Sequence, residues 1–376
     1  MRQPLDDSHW APPRGRLVPE RVRSSSRRPD SLLAGIVVLF ACAAAMRAER
    51  SEPTGVASAI VSYGFVFERV PFPSAHASTI VETRDGLLAA WFGGTGEGHP
   101  DVSIWTARHD GTRWLPPVRV AEGLQPAGAR FPCWNPVLFQ PSSGPLLLFY
   151  KVGPSPREWW GLVRTSADQG LSWSEAAKLP DGILGPIRAK PVELPGGVLL
   201  AGSSTEHAGW VVQMERATLD QAGAPSNWTR SGPLNDPTVF EAIQPTILEH
   251  SKARLQILCR SRQRVVTESW SEDAGRTWSA MAATALPNPS AGIDALRLAD
   301  GRFLLVYNPT PRGRSPLLIA VSRDGKDWRS GVVLEDAPGE YSYPAIVQAR
   351  DGRVHVTYTW RRERIKHVVV DPGLIE

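Results

Sequence analysis

From residue 75 onward the chain repeats one pattern about every 50 residues, and that period constrains the fold more than any other feature. Each unit opens on a short run at 78–81, 136–139, 191–194, 245–248, 294–297 and 344–347, most of them apolar. A tight turn follows at Asp85-Gly86, Gly144, Gly196-Gly197, Asp300-Gly301 and Asp351-Gly352, with Lys252-Ala253 in the fourth unit. Second runs then begin at Leu87, Leu146, Val198, Leu255, Phe303 and Val354. Asp-Gly between apolar runs signals a hairpin, because glycine accepts the positive φ of a two-residue link. A unit of about 50 residues holds about four strands, which is a propeller blade. One blade cannot bury both of its faces, and a ring of blades can. The 14 Trp, 34 Pro and 33 Gly suit many short strands and turns. The pattern predicts an all-β, six-bladed β-propeller over 61–372.

A second signal marks the turn after the third strand. Ser166 to Trp173 and Ser271 to Trp278 read Ser-x-Asp-x-Gly-x-Ser/Thr-Trp, the Asp-box turn. Ser322 to Trp328 is one residue shorter, and Asp110 to Trp114 is degenerate. In such a turn the carboxylate accepts backbone N–H groups, glycine supplies positive φ, and tryptophan packs between sheets. These aspartates therefore read as structural. The sixth unit ends soon after its third strand, so residues 63–70 are expected to supply its outer strand and close the ring by an N-terminal strand.

The net charge of +4 is a property of the tail. Residues 1–50 carry nine arginines against five acids, and the remainder is balanced. No basic stripe is present, which excludes a nucleic-acid partner. Residues 1–50 read as a basic tail plus a signal or anchor segment: Arg27-Arg28 precedes an apolar run at 32–46. Leu39-Phe40-Ala41-Cys42 is close to a lipobox, so a membrane attachment through 32–46 or a lipid on Cys42 is one reading, and a cleaved signal peptide the other. Either implies an exported protein. Cys133 and Cys259 fall in different units, no metal-ligand spacing occurs, and no cofactor is expected. A monomer is expected.

In a propeller the first strands line the axis, and ligands bind at one mouth of the channel. Residues just before the first runs include His76, Trp134, Asn135, Lys190, Gln244, Asp294 and Tyr343. Those just after the second runs include Glu97, Lys151, Glu206, Arg260, Arg262, Arg312, Arg314, Arg361 and Arg362. Polar groups converging from six blades are costly unless a ligand, or pairing around a water-filled channel, satisfies them. Trp159-Trp160, with Arg157 and Glu158, reads as a loop over the mouth or as blade packing.

Three stretches make the resemblance specific. Leu258-Cys259-Arg260-Ser261 before the second Asp box, Tyr307-Asn308-Pro309-Thr310 to Arg314, and Gly339-Glu340-Tyr341-Ser342-Tyr343 resemble blades four, five and six of the exo-sialidase superfamily. The resemblance spans roughly 70–370. It implies that Arg260 and Arg314 (or Arg312) hold a substrate carboxylate and that Tyr343 is the nucleophile. A blade-one aspartate acts as general acid or base; Asp101 is the first candidate and Glu97 the second. Two family features are absent. Ser74-Ala75-His76-Ala77 stands where the family opens blade one on an arginine. Gln244-Pro245-Thr246 stands where it has a glutamate, and glutamine cannot take a proton from Tyr343. His76 or Glu241 could serve as the base instead. The functions implied are an exported, exo-acting sialidase-family glycosidase on a terminal acidic sugar of a glycan, a non-catalytic glycan-binding propeller, or a lyase on uronate-containing polysaccharide. Lys190, Trp134, Asn135, Asp294 and Glu206 are expected to line the substrate site.

Overall fold

The computed structural model describes residues 58–375 apart from Gln221 and Ala222, so the tail, the apolar run at 32–46 and Cys42 lie outside the described residues. Six four-stranded antiparallel sheets form a six-bladed β-propeller. The innermost strands of blades one to six are Ser74–Thr83, Cys133–Phe139, Val192–Leu194, Ala242–Glu249, Asp294–Arg297 and Tyr341–Gln348. The ring closes as the missing sixth-blade strand required: Ile60–Phe65 pairs antiparallel with Arg364–Val370. The closing strand starts and ends earlier than 63–70. Beyond Phe65 the Val66 amide makes one more bond, to the Ile365 carbonyl (2.9 Å), and Phe67 then turns to stack on Trp91 (4.8 Å between ring centroids).

Each of the six blade interfaces has its own apolar cluster. Leu304, Ile319, Ile346 and Val368 belong to the one between blades five and six, for example. The Asp boxes stitch these interfaces. The Asp273 carboxylate accepts from the Arg276 amide (2.9 Å), the Thr277 amide (2.8 Å) and Ser271 Oγ (2.9 Å), and in blade two the Asp168 carboxylate accepts from the Ser172 amide (2.8 Å) and Ser166 Oγ (2.8 Å). The box glycines take positive φ and leave no room for a side chain. A Cβ on Gly170 of blade two would lie 2.8 Å from Leu88 of blade one, and one on Gly275 of blade four 2.8 Å from Leu200 of blade three. The boxes are therefore joints between blades. Cys133 and Cys259 are free and buried in separate blades. Among the described residues, no helix is long and apolar enough to cross a membrane, and no cluster of side chains suits a metal ion.

Candidate active site

Four inner strands carry the same irregularity. Their pairing slips between His76 and Thr79, Trp134 and Val137, Ile243 and Thr246, and Ser342 and Ala345. At each slip one non-glycine residue is left-handed: Ala77 (φ 53°), Asn135 (φ 40°), Gln244 (φ 59°) and Tyr343 (φ 52°). Such conformations cost about 1–3 kcal/mol each and persist where the surroundings impose them. The bulges re-aim side chains toward one mouth of the channel. In blade three the left-handed residue is Arg188 (φ 77°), on the segment before Val192–Leu194. Two buried ionisable groups pin that segment. Glu215 accepts from the Leu184 (3.0 Å) and Gly185 (2.6 Å) amides, and Lys151 donates to the Pro186 carbonyl. Burial pulls the Lys151 ammonium down to about 7.

Tyr343 lies at the centre of the mouth. Three guanidinium carbons approach its ring: Arg188 at 5.5 Å, Arg260 at 5.5 Å and Arg314 at 5.6 Å from the centroid. The His76 ring sits 4.3 Å away, centroid to centroid. Arg314 donates to Glu340 Oε1 (2.8 Å), and Arg362 donates to the same oxygen (2.9 Å) and to Glu97 (2.5 Å). Arg188 and Arg260 form no ion pair among the described residues. Arg188 makes one hydrogen bond, to the Ser78 carbonyl (3.0 Å), and Arg260 one, to the Ser290 carbonyl (2.9 Å). Arg188 Nε and Nη2, Arg260 Nε, both His76 ring nitrogens and Gln244 Oε1 are buried without partners. Burial first, then the charges of Arg362, Arg314, Arg188 and Arg260, hold His76 well below the usual histidine range, so its imidazole is neutral. Burial lowers Arg188 to about 10, which leaves it cationic at neutral pH. Buried cations without counter-ions are costly, and a bound anion relieves that cost.

The cluster therefore gathers His76, Arg260, Arg314 and Tyr343, while Gln244 is placed at the blade-four slip, its backbone amide donating to Ser204 Oγ (3.3 Å). Trp134 and Asn135 sit at the blade-two slip, with Trp134 Nε1 donating to the Gly153 carbonyl (2.9 Å). Glu206 stands behind Arg260. Burial raises its carboxyl, while Arg260 and a hydrogen bond from Trp210 act against that shift. Trp210 in turn lies under Arg260 (4.9 Å) and Arg262 (4.5 Å).

Other expected site residues do not join the cluster. Asp294 accepts from Lys190 Nζ (3.0 Å), Thr246 Oγ1 (2.9 Å) and the Ile346 amide (3.0 Å). Both ions of that pair are thus spent on tying blades three, four, five and six together inside the channel. Arg312 lies on an exposed loop tip. Asp101 accepts from the Thr95 amide (3.0 Å), Thr95 Oγ1 (2.7 Å) and His99 Nδ1 (2.8 Å). Burial opposes the effect, yet these bonds hold Asp101 below the usual carboxylate range. Glu97 on the same loop reaches the cluster through Arg362.

Arg188 is the side chain of the cluster that sequence reasoning missed. A residue directly before proline is left-handed in blades two, four and six (Asn135-Pro136, Gln244-Pro245, Tyr343-Pro344). That rule selects Lys190 in blade three, whereas the left-handed position falls two residues earlier. Gly292 makes room for the pair: a Cβ there would lie 3.3 Å from the Tyr343 ring and 3.5 Å from Arg188 Nε. Its backbone does not itself need glycine. Gly292→Ala is therefore expected to fold normally and to weaken ligand binding at the mouth, as read by calorimetric titration.

Fold and mouth together define a sialidase-like six-bladed Asp-box propeller with an arginine-ringed tyrosine at its axis. Residues 85–356 match the BNR repeat-like domain, and the chain belongs to that family. Among solved structures it is similar to a protein of unknown function from Dyadobacter fermentans, at 20% identity and a TM-score of 0.68, covering 83% of this chain and 98% of that one. It is also similar to the NanB sialidase from Streptococcus pneumoniae, at 12% identity and a TM-score of 0.66, covering 84% of this chain and 71% of that one. The intramolecular trans-sialidase from Ruminococcus gnavus shares 13% identity at a TM-score of 0.64, covering 84% of this chain and 99% of that one. At these identities the likeness establishes a shared fold. No curated protein matches the chain.

Proposed function

We propose that this protein is an exported glycosidase that removes a terminal acidic sugar from a glycan, binding the sugar carboxylate between Arg188, Arg260 and Arg314. The observation that carries this reading is the pair of buried guanidiniums beside Tyr343, Arg188 and Arg260, which form no ion pair among the described residues and keep N–H groups without partners. Guanidinium forks suit a carboxylate through paired hydrogen bonds. Arg188 from blade three then stands in for the arginine that blade one lacks.

In this reading the Tyr343 oxygen attacks the anomeric carbon while its proton passes to a nitrogen of His76, which is neutral and unpartnered. The bond to the leaving oxygen breaks, and that oxygen takes a proton from the loop at 94–102. The donor is the protonated imidazole of His99, held through Nδ1 by the ionised Asp101 carboxylate. Water then releases the sugar from Tyr343, giving its hydroxyl to the anomeric carbon and a proton back to His99, while Tyr343 regains its proton from His76. Gln244 supplies no charge, so His76 takes the proton-accepting role that a glutamate would fill.

A screen of the purified protein against fluorogenic sialosides and uronic-acid glycosides tests the proposal. Sugar release is expected from wild type, and Tyr343→Phe is expected to lose it by orders of magnitude. Equal turnover by Tyr343→Phe would remove the nucleophile assignment. The presence of Gln244 favours one second reading, a glycan-binding propeller without catalysis. It gains if wild type binds an acidic sugar and releases none.

A further inference from the structure

We propose that Lys151 and Glu215 form an ionic clamp between blades two and three that positions Arg188, so that the placement of its guanidinium follows the charge on Lys151. This rests on the reading above that Arg188 takes part in holding a sugar carboxylate. Blade three needs such a device. Its innermost strand, Val192–Leu194, has three residues where that of blade four has eight. The mouth end of the strand is replaced by the segment 184–190, which the Ile187 amide ties to the second strand of its own blade by donating to the Gly202 carbonyl (2.9 Å). Arg188 is left-handed on this segment (φ 77°), and a non-glycine residue keeps that conformation where its surroundings impose it.

The surroundings are two buried ions from different blades. Lys151 lies on Leu146–Val152, the second strand of blade two, and Glu215 on Val211–Leu219, the third strand of blade three. Both side chains are fully buried. The Leu184 and Gly185 amides donate to separate oxygens of Glu215, and Lys151 Nζ donates to the Pro186 carbonyl. The backbone thus turns its donors to the anion and its acceptor to the cation, two residues short of Arg188. Charge-assisted bonds of this kind are about twice as strong as neutral ones. Buried ions are poor stabilisers beside an apolar pair of similar volume, and their best-attested use is to fix a geometry.

The clamp changes state near neutrality. Burial pulls Lys151 down to about 7, and Glu215 is the charge that acts against that shift. Burial raises Glu215, against its amide bonds and Lys151. The partners of Lys151 across the ladder, Trp134 and Gly161, bring no charge. Below about pH 7 both ions are present. Above it Lys151 is neutral, its bond to Pro186 is no longer charge-assisted, and Glu215 is left without its counter-ion. Arg188, at about 10, and His76, well below the usual histidine range, keep their charge states across that interval. Binding of an anion at Arg188 is therefore expected to weaken as the pH rises through about 7 and, by linkage, to draw a proton onto Lys151.

The wild-type protein labelled with [15N]arginine carries the first test and needs no ligand. The Arg188 Nε–H signal, identified by its loss in Arg188→Met, is expected to shift between about pH 6 and about pH 8.5 with a midpoint near 7. The double variant Lys151→Met/Glu215→Gln removes both charges and strands neither ion. Its Arg188 signal is expected to hold constant over the same range. A flat signal in wild type, or the same titration in the double variant, overturns the clamp. Calorimetric titration with sialic acid and with glucuronic acid carries the second test. The acid that binds is expected to bind wild type about fivefold more weakly at pH 8.5 than at pH 6.5. Near pH 7.5 binding is expected to take up part of a proton, read from titrations in two buffers of different ionisation enthalpy. The double variant is expected to bind about fivefold more weakly at pH 6.5 and to take up none. Equal affinity at both pH values without proton uptake in wild type overturns the clamp and leaves the sugar-binding reading standing. A titrating Arg188 signal with neither acid bound supports the clamp and overturns the sugar-binding reading.

Discussion

Replacing Arg188 with methionine is expected to abolish binding of an acidic sugar and to leave the protein at least as stable as wild type. The two halves of this result come from one fact. The Arg188 guanidinium is fully buried and has a single hydrogen bond, to the Ser78 carbonyl. The opposing charge that acts on it most is Asp294, which already serves Lys190, Thr246 and Ile346. Removing a guanidinium from water without a dedicated partner costs several kcal/mol, and apolar replacements of buried ions are commonly neutral or stabilising by about 1–4 kcal/mol. Methionine keeps most of the volume and forfeits only the bond to Ser78. A buried charge lost from one side of a ligand ion pair costs about 2–5 kcal/mol of binding, roughly 30-fold or more in affinity. Arg314→Met is the contrast. Arg314 shares Glu340 with Arg362, so its loss leaves a half-buried carboxylate with one partner fewer and is expected to lower stability as well as binding. Thermal melts and calorimetric titration on both variants read the two quantities. If Arg188→Met melts well below wild type and still binds the sugar, Arg188 is a strut for the blade-one strand and not a ligand group.

What could be read from the chain and what could not divides between contacts made within one turn and contacts made between blades. The blades, the turns and the boxes are local. Asp273 meets Ser271, Arg276 and Thr277 within its own turn, so the motif carries its own structure. The closing strand was legible because the sixth unit lacked a partner, although its bounds were not. They depend on where Val66 and Phe67 leave the ladder to pack with Trp91 of blade one, a contact that no pattern within the strand itself reveals. Arg260, Arg314 and Tyr343 were singled out by the resemblance to the exo-sialidases, and the structure brings the three side chains together. Arg188 was illegible for a different reason. No motif surrounds it, and its position is set by Lys151 and Glu215, which hold the 184–186 backbone from two other strands. Lys190 and Asp294 show the reverse case. Their positions at the strand starts suggested a ligand site, but a lysine and an aspartate close enough to meet satisfy one another first.

Acid is expected to weaken the seam between blades one and six, where the ring is closed. Trp114 Nε1 donates to His367 Nδ1 (3.2 Å), and His367 Nε2 meets His355 Nδ1 at 3.0 Å. An indole nitrogen only donates, so His367 Nδ1 must accept, its Nε2 must carry the proton, and His355 Nδ1 accepts in turn. The chain of bonds requires a neutral His367. His109 stands beside it, its ring 6.0 Å from that of His367. Burial, then His355 and His109, hold His367 down to about 3, and burial lowers His355 and His109 as well. Glu82, Asp351 and Asp110 pull the other way, on His355 and His109, without reversing either shift. In the unfolded chain these histidines protonate near pH 6.5. The folded state therefore binds fewer protons below that value. Its stability is complete above about pH 6.5 and falls as the pH drops toward about 3. At about 1.4 kcal/mol per pH unit per group, His367 alone removes several kcal/mol by pH 4. The closing strand Ile60–Phe65 pairs along the same third strand that carries His367, through Gly64, so the seam is where the ring gives way. Thermal melts between pH 7.5 and 4.5 on wild type and His367→Gln separate this from other buried histidines. Glutamine can accept from Trp114 and donate to His355 without titrating, so it is expected to match wild type near pH 7.5 and to melt higher at pH 4.5. His76 keeps part of the pH dependence in both proteins. An unchanged slope in His367→Gln would move the acid-sensitive element away from the seam and leave the arginine-ringed mouth, through His76, as its seat.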